Sequence, residues 1–258
     1  MSYPAFDLQN KVAVVIGGTS GIGRAMAHGL AEAGADVVPT SRSLPQVEAA
    51  ANEIEERGRR TLRIAADVAD AGSLEVLRDQ TIATLGKVDI LVNCAGRTKR
   101  APTIGFSEAD WVDIMDTNLT GTLRACQVFG AHMLERRYGR IINIASLSSF
   151  LAFFEVTAYS ASKAAVAALT KSLATEWAPY GVIVNAIAPG IFRTALNQRL
   201  LDETGRGREY LLRTPMKRFG KIEELAGAAV FLASDAASFL TGEILVVDGG
   251  FLATGVNQ

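Results

Sequence analysis

The chain has 258 residues and a net charge of −1, with 49% hydrophobic and 21% charged residues. This balance predicts a globular protein with a sizeable core, and the near-zero charge excludes a general electrostatic attraction to nucleic acid or to an anionic membrane surface. The two cysteines and two histidines show neither disulfide nor metal-ligand spacing, and the first residues lack a secretory leader pattern, so we expect a cytoplasmic protein without a metal site.

Short β-branched runs alternate with longer helical patterns along the chain. Strands are predicted at 11–16, 35–40, 61–67, 88–93, 140–146, 182–188 and 243–248, and helices at about 22–33, 45–57, 72–85, 117–137, 158–178 and 222–234. The alternation predicts an α/β fold of the Rossmann type, a doubly wound seven-stranded parallel sheet flanked by helices, in a single domain spanning 1–258. Pro39 is expected at the exit of the second strand, because a proline removes one ladder donor.

The first strand runs into a glycine-rich turn, Gly17-Gly18-Thr19-Ser20-Gly21-Ile22-Gly23. Glycines allow a tight turn and close approach to a pyrophosphate, which the N-terminus of the next helix also favours. The spacing differs from G-x-G-x-x-G, and the missing lysine disfavours a P-loop. A tight structural connection is the alternative interpretation.

Tyr159 and Lys163 stand four residues apart in a predicted helix and therefore share one face. One interpretation is a half-buried aromatic ring and a solvated charge. The other is a phenol whose pKa of about 10 is lowered by the neighbouring ammonium, so that it can exchange a proton near neutral pH.

The chain resembles the short-chain dehydrogenase/reductase family over essentially its whole length. The resemblance is carried by IGGTSGIG at 16–23, NCAG at 93–96, Asn118, Ser146, YSASK at 159–163 and PGIFRT at 189–194. Ile16 replaces the family's threonine and removes a hydroxyl that braces the turn. The tail and the stretch after the fifth strand are similar to those of gluconate and deoxygluconate dehydrogenases.

This resemblance implies strand order 3-2-1-4-5-6-7 and an NAD(P)-dependent oxidoreductase that interconverts a secondary alcohol and a ketone by hydride transfer. It implies the catalytic residues Asn118, Ser146, Tyr159 and Lys163. The expected cofactor-binding residues are Gly17, Thr19, Ser20, Gly21, Ile22, Gly23, Ser41, Arg42, Asp67, Val68, Asn93, Ala95, Gly96, Tyr159, Lys163, Pro189, Gly190 and Thr194. Ser146 and Asn118 are also open to interpretation as local capping residues.

The end of the second strand predicts the choice of cofactor. An NAD-selective site usually carries a carboxylate there, for the ribose 2′-hydroxyl. Here Ser41 and Arg42 occupy the exit, while Asp36 lies at the start. A guanidinium matches a 2′-phosphate in charge and geometry, so NADP(H) is expected to be preferred, with NAD(H) as the alternative.

The long stretch 191–220 is predicted to be a substrate lid, and its cations indicate an anionic small-molecule substrate. A sugar acid such as gluconate is favoured. The alternatives are a 3-oxoacyl chain on acyl carrier protein or another carbonyl compound, and a cofactor-binding module without turnover. A homotetramer is expected by resemblance, through the helices at 117–137 and 158–178 and the C-terminal strand.

Overall fold

The computed structural model describes residues 3–194 and 197–255. Within these residues the chain forms six strands: β1 Val12–Ile16, β2 Asp36–Thr40, β3 Ile90–Asn93, β4 Gly139–Ile144, β5 Val182–Pro189 and β6 Ile244–Val247. The α-helices are α1 Gly21–Glu32, α2 Leu44–Glu56, α3 Ala71–Leu85, α4 Glu108–Met115, α5 Gly121–Arg136, α6 Thr157–Trp177, α7 Gln198–Glu203, α8 Gly205–Arg213 and α9 Glu224–Ala233. The predicted single-domain α/β fold of the Rossmann type is confirmed.

All strand pairs are parallel, and the sheet order is β2-β1-β3-β4-β5-β6. The chain leaves β1 for β2 on one side and returns to β3 on the other, so the strand order reverses between β1 and β3. Ligands of such sheets bind outside the carboxyl ends of the strands at this switch point. The glycine turn after β1 and the NCAG segment after β3 both lie at that edge.

Alternating side chains of each strand enter two separate hydrophobic clusters. On β1, Val12 and Val14 face the cluster built with α3, α5 and α6, whereas Ala13 and Val15 face the cluster built with α1, α2 and α9. Burial on both faces explains why the strands are continuous apolar runs. The two helical layers therefore hold the sheet rigid and leave its carboxyl edge for the site.

The predicted seventh strand, residues 61–67, is not formed, which corrects the expected strand count. The segment lies along the outer edge of β2, and two backbone hydrogen bonds at its ends join them: the Val37 N–H donates to the Arg60 carbonyl, and the Ala66 N–H donates to the Ser41 carbonyl. Pro39 lies between Val37 and Ser41 on the edge that faces this segment and has no N–H to donate. It is the next-to-last residue of β2, where it is paired with Val15.

The helix predicted at 117–137 begins differently from the expectation. Residues Asp116–Thr120 form a π-helical turn between α4 and α5. α4 itself was not predicted; its first turn is capped by the Ser107 hydroxyl, which accepts the Asp110 N–H at 3.1 Å. Since π turns are frequent at functional sites, the turn draws attention to Asn118 at its centre. No helix in the described ranges is long and apolar enough to cross a membrane.

Candidate active site

The glycine turn after β1 forms a backbone cradle at the switch point. Gly17 has φ +79° and its N–H donates to the Thr40 carbonyl at 2.8 Å. A Cβ there would lie 2.7 Å from the Ala95 nitrogen, and one on Gly23 would lie 2.1 Å from the Gly17 carbonyl oxygen. The turn is thus held by backbone contacts, so the loss of a hydroxyl at Ile16 leaves it braced.

The same turn has room for a phosphate group. Gly21 has φ +52°, and nothing lies within 4 Å of the position its Cβ would take. Ser20 is the N-cap of α1, but its side chain makes no capping hydrogen bond to the first N–H groups of the helix. Thr19 reaches Gln46 on α2 at 3.4 Å. This arrangement fits the pyrophosphate of a dinucleotide cofactor.

The exit of β2 is the candidate site for the adenosine ribose. Arg42 has a side chain that is 75% exposed, and its Nη1 lies 4.0 Å from Oδ2 of Asp67. Asp67 accepts the Ala69 N–H at 3.0 Å, which forms the turn that places Val68 against the start of α5. Ser41 and Arg42 therefore share this edge with the Asp67 turn, as expected, and no carboxylate stands at the strand exit itself.

Asn93, at the end of β3, belongs to a buried hydrogen-bond network. Its Nδ2 donates to Oδ1 of Asn143 on β4 at 2.9 Å and lies 3.3 Å from the Cys126 sulfur. Asn143 in turn donates to Thr170 on α6 at 3.0 Å. The buried network ties β3, β4 and α6 together behind the site. The sequence analysis missed Asn143, although a polar residue inside the apolar run of β4 was a visible signal.

Asn118 is fully buried in the π turn and fastens the segment after β3. Its Oδ1 accepts the Arg97 N–H at 2.8 Å, and its Nδ2 donates to the Arg97 carbonyl at 2.9 Å and to the Ser162 hydroxyl at 3.0 Å. Gly96 lies beside it, since a Cβ there would be 3.4 Å from Asn118 Oδ1 and 3.7 Å from Lys163 Nζ. The asparagine thereby connects the loop after β3 to α6.

Ser146 and Tyr159 line the same cleft, which has a volume of about 310 Å³. Ser146 follows β4 and its hydroxyl accepts the Ser148 N–H at 3.1 Å, so its capping role is present as well. Burial raises the pKa of the Tyr159 phenol above its ordinary value, and a hydrogen bond with Ser146 works against that rise. The sequence analysis expected a lowered pKa, but the direction is the opposite because desolvation dominates.

Lys163 lies one turn beyond Tyr159 and is 5% exposed. Its Nζ donates to the Ile144 carbonyl at 2.6 Å and lies 5.8 Å from the centre of the Tyr159 ring. Burial lowers the pKa of this ammonium to about 8. The neighbouring thiol of Cys94 has a pKa raised to about 12 by burial and stays neutral. Lys163 is therefore a buried cation at neutral pH, placed to act on the phenol.

The far side of the cleft is formed after β5. Pro189, Gly190 and Thr194 line it, and the Gly190 N–H donates to the Val247 carbonyl at 2.8 Å. A Cβ on Gly190 would lie 2.5 Å from the Asp248 Cα, so glycine is required for this close approach of β5 and β6. Residues 191–220 continue into α7 and α8, apart from 195–196, which lie outside the described residues.

Comparison with known proteins assigns the chain to a family. A family model described as enoyl-(acyl carrier protein) reductase matches residues 17–252. The 2-dehydro-3-deoxy-D-gluconate 5-dehydrogenase of Dickeya dadantii is 41% identical over 249 residues, which cover 96% of this chain and 98% of the relative. The chain belongs to the short-chain dehydrogenase/reductase family. It is an NAD(P)-dependent oxidoreductase.

Other members of the short-chain dehydrogenase/reductase family agree in sequence and structure. The gluconate 5-dehydrogenase of Gluconobacter oxydans is 40% identical over 256 residues, covering 97% of this chain and 98% of the relative. A gluconate 5-dehydrogenase from Burkholderia cenocepacia, solved with NADP and tartrate, superposes with TM-score 0.94 at 39% identity and covers 97% of this chain and 98% of its own.

The cations near the cleft are less available to bind an anion than their number in the sequence suggested. Most of them form ion pairs within the protein: Arg97 with Asp113, Lys99 with Asp110, Arg100 with Glu155, Arg193 with Asp202, Arg199 with Glu203 and Arg218 with Glu224. Three of the seven cations in residues 191–220 are in these pairs, so the surplus of lid cations counted from the sequence is only partly neutralised. The cations after β3 are all paired.

Proposed function

We propose that this chain oxidises a secondary hydroxyl of a sugar acid such as gluconate to a ketone, and catalyses the reverse reduction, with NADP(H) as the preferred cofactor. The observation that carries the reaction type is the cleft in which Ser146 and Tyr159 meet beside buried Lys163, next to the glycine cradle. The substrate class is supported by relatives near 40% identity that are named as gluconate and deoxygluconate dehydrogenases.

When bound, the nicotinamide supplies the hydride chemistry, and the protein positions it. We assign its pyrophosphate to the turn at 17–23 and its ribose hydroxyls to Lys163 and Tyr159. In the direction of oxidation, Tyr159 takes the proton of the substrate hydroxyl, and in reduction it returns that proton. The Ser146 hydroxyl donates to the substrate oxygen and stabilises the negative charge that develops there.

Lys163 makes this proton transfer feasible. With a pKa of about 8 it is charged at neutral pH, and a cation near a phenol favours the phenolate. Burial raises the pKa of Tyr159 and the hydrogen bond with Ser146 lowers it; the charge of Lys163 acts in the same direction as that hydrogen bond. Asn118 contributes by holding the Arg97 backbone and Ser162, and through them the wall around the ammonium.

NADP(H) is favoured over NAD(H) by the chemistry of the β2 exit. The side chain of Arg42 is largely exposed and only loosely paired with Asp67, at 4.0 Å. It can turn to a 2′-phosphate without breaking a close ion pair. Several solved relatives hold NADP, among them a 2-deoxy-D-gluconate 3-dehydrogenase homologue from Agrobacterium tumefaciens that is 41% identical.

Two other functions compete with this one. Reduction of an acyl chain on a carrier protein has the support of the family model's description, and one relative that covers 94% of the chain, at 37% identity, is named as a succinyl-CoA dehydrogenase subunit. The relatives at 40–42% identity are named mostly as sugar-acid dehydrogenases, together with a D-threitol dehydrogenase. A cofactor-binding module without turnover does not need Ser146 and Tyr159 in one cleft with the buried Lys163 beside them.

The test is a substrate panel with the purified protein. Gluconate, other sugar acids, neutral polyols and acyl thioesters are offered with NADP⁺ or NADPH and with NAD⁺ or NADH, and the absorbance of the reduced nicotinamide is followed. We expect the highest kcat/KM for a sugar acid with NADP⁺. A higher kcat/KM for acyl thioesters, or no turnover of any substrate, contradicts the proposal.

We further propose a homotetramer in the cytoplasm, with residues 191–220 as the substrate lid. Cys94 and Cys126 are both free thiols, which suits a reducing compartment. Phe239 is fully exposed in the segment that precedes β6, and an exposed aromatic side chain suits an interface between subunits.

A further inference from the structure

Arg206 differs from the other cations of the lid. It is half-buried on α8, whereas Arg208, Arg213 and Lys217 are exposed. Its guanidinium lies 5.7 Å from the centre of the Phe154 ring. Among the described residues, it has no carboxylate within 4.0 Å, in contrast to the paired cations around the cleft. A partly desolvated cation without a carboxylate partner is free to bind an anion.

Tyr210 lies four residues further along α8 and therefore on the same face as Arg206. It lines the cleft that also contains Ser146 and Tyr159. Its ring is fixed by edge-to-face packing against Phe153 at 5.9 Å and Phe251 at 6.4 Å. Burial raises the pKa of its phenol, so Tyr210 remains a neutral hydrogen-bond donor, and the charge of Arg206 works against that rise because it lies nearby.

We infer that Arg206 and Tyr210 form an anion anchor that binds the carboxylate of the substrate on the lid side of the cleft. This inference rests on the proposed function. In a substrate oxidised at carbon 5, the carboxyl carbon is four bonds from the reacting carbon, so its binding site must be separate from Ser146 and Tyr159. α8 supplies such a site from a different element, with one charged and one neutral donor.

The experiment compares two ligands that differ at one end. D-glucitol is gluconate with the carboxylate replaced by a hydroxymethyl group. The KM and kcat for gluconate and the competitive inhibition constant of D-glucitol against gluconate are measured for wild type, Arg206→Gln, Arg206→Lys and Tyr210→Phe. Arg208→Gln is the matched control, because Arg208 is exposed on the same helix. Melting temperatures show whether each variant is folded.

We expect Arg206→Gln to raise the KM for gluconate about 10- to 100-fold, the range for losing a hydrogen bond to a charged group. The inhibition constant of D-glucitol should change less than about twofold, because it carries no charge for the anchor. Arg206→Lys should recover part of the loss. Tyr210→Phe keeps the ring and should raise the KM about three- to tenfold. Arg208→Gln should match wild type.

The outcomes separate the two proposals. If wild type oxidises gluconate and Arg206→Gln leaves its KM unchanged, or weakens gluconate and D-glucitol equally, the anchor is overturned while the proposed function stands. If wild type oxidises neutral polyols but no sugar acid, the proposed function fails and the anchor fails with it.

Discussion

Lys163 carries a charge in a place where that charge is unfavourable for folding. The ammonium is 5% exposed and has the Ile144 carbonyl as its close hydrogen-bond partner. The lowered pKa, about 8 against an ordinary 10.5, expresses this cost. Below pH 8 the lysine is protonated in both the folded and the unfolded chain, so the full penalty applies. Between pH 8 and pH 10.5 the unfolded chain binds more protons than the folded chain, so the free energy of unfolding rises with pH.

Replacing this lysine should therefore stabilise the protein while it removes activity. We expect Lys163→Met to increase the free energy of unfolding at pH 7 by about 1–3 kcal/mol, and this difference should shrink as pH rises from 8 towards 10.5. Denaturant titrations at pH 7 and pH 9.5 measure it. The control is Lys171→Met, an exposed position of the same helix. A wild type more stable than Lys163→Met at pH 7 would contradict the interpretation.

Arg42 allows a test of cofactor selection at one side chain. Removing its guanidinium takes away the proposed partner of the 2′-phosphate, and NAD lacks that phosphate. We expect Arg42→Ala to lower kcat/KM for NADP⁺ about 10- to 100-fold with little change for NAD⁺. The ratio of the two values, with one substrate, is the readout. An unchanged ratio, or a wild-type preference for NAD⁺, would show that this strand exit does not select the phosphate.

At the scale of elements, the packing of α7 against α8 holds the segment that we propose to be the lid. Gly207 is buried in α8, and a Cβ at this position would lie 1.8 Å from the Leu201 carbonyl oxygen of α7. A side chain there must push the two helices apart. The cofactor cradle at 17–23 lies on other elements, so substrate and cofactor binding should respond differently to such a change.

We expect Gly207→Ala to raise the KM for the substrate about tenfold or more while the Kd for NADPH stays within about twofold. Gly205→Ala is the matched control, because a Cβ at Gly205 meets nothing closer than Arg208 Nη2 at 3.8 Å. Steady-state kinetics and NADPH fluorescence separate the two effects. Equal kinetics for both variants would remove the lid role from this helix pair.

Strong periodicity and motif spacing made six strands and the main helices readable without a structure, whereas the roles of the sequence-predicted site residues stay predictions. The seventh strand is missing where Pro39 offers no N–H to the segment 61–67. Whether a proline faces a neighbouring strand on one side or the other cannot be read from a single sequence. The π turn around Asn118 also escaped prediction. So did the ion pair of Arg100 with Glu155, because the two residues are distant in sequence.

At the scale of the whole molecule, we predict association into a tetramer with two-fold axes. Light scattering at micromolar concentration should give four times the chain mass of 27.4 kDa. Phe239→Asp should lower that mass, because it replaces a fully exposed aromatic side chain with a charge at the proposed interface. A wild-type mass of one chain would refute the prediction.

The most direct measurement of the central claim is the turnover of Tyr159→Phe with the best sugar acid of the panel and NADP⁺. The variant keeps the ring and loses the oxygen that transfers the proton. We predict a kcat lower by about 10²- to 10⁴-fold, with a Kd for NADPH close to that of wild type by fluorescence titration. A variant that binds NADPH normally and keeps more than about half of the wild-type kcat would contradict the assignment of Tyr159 as the proton-transfer group.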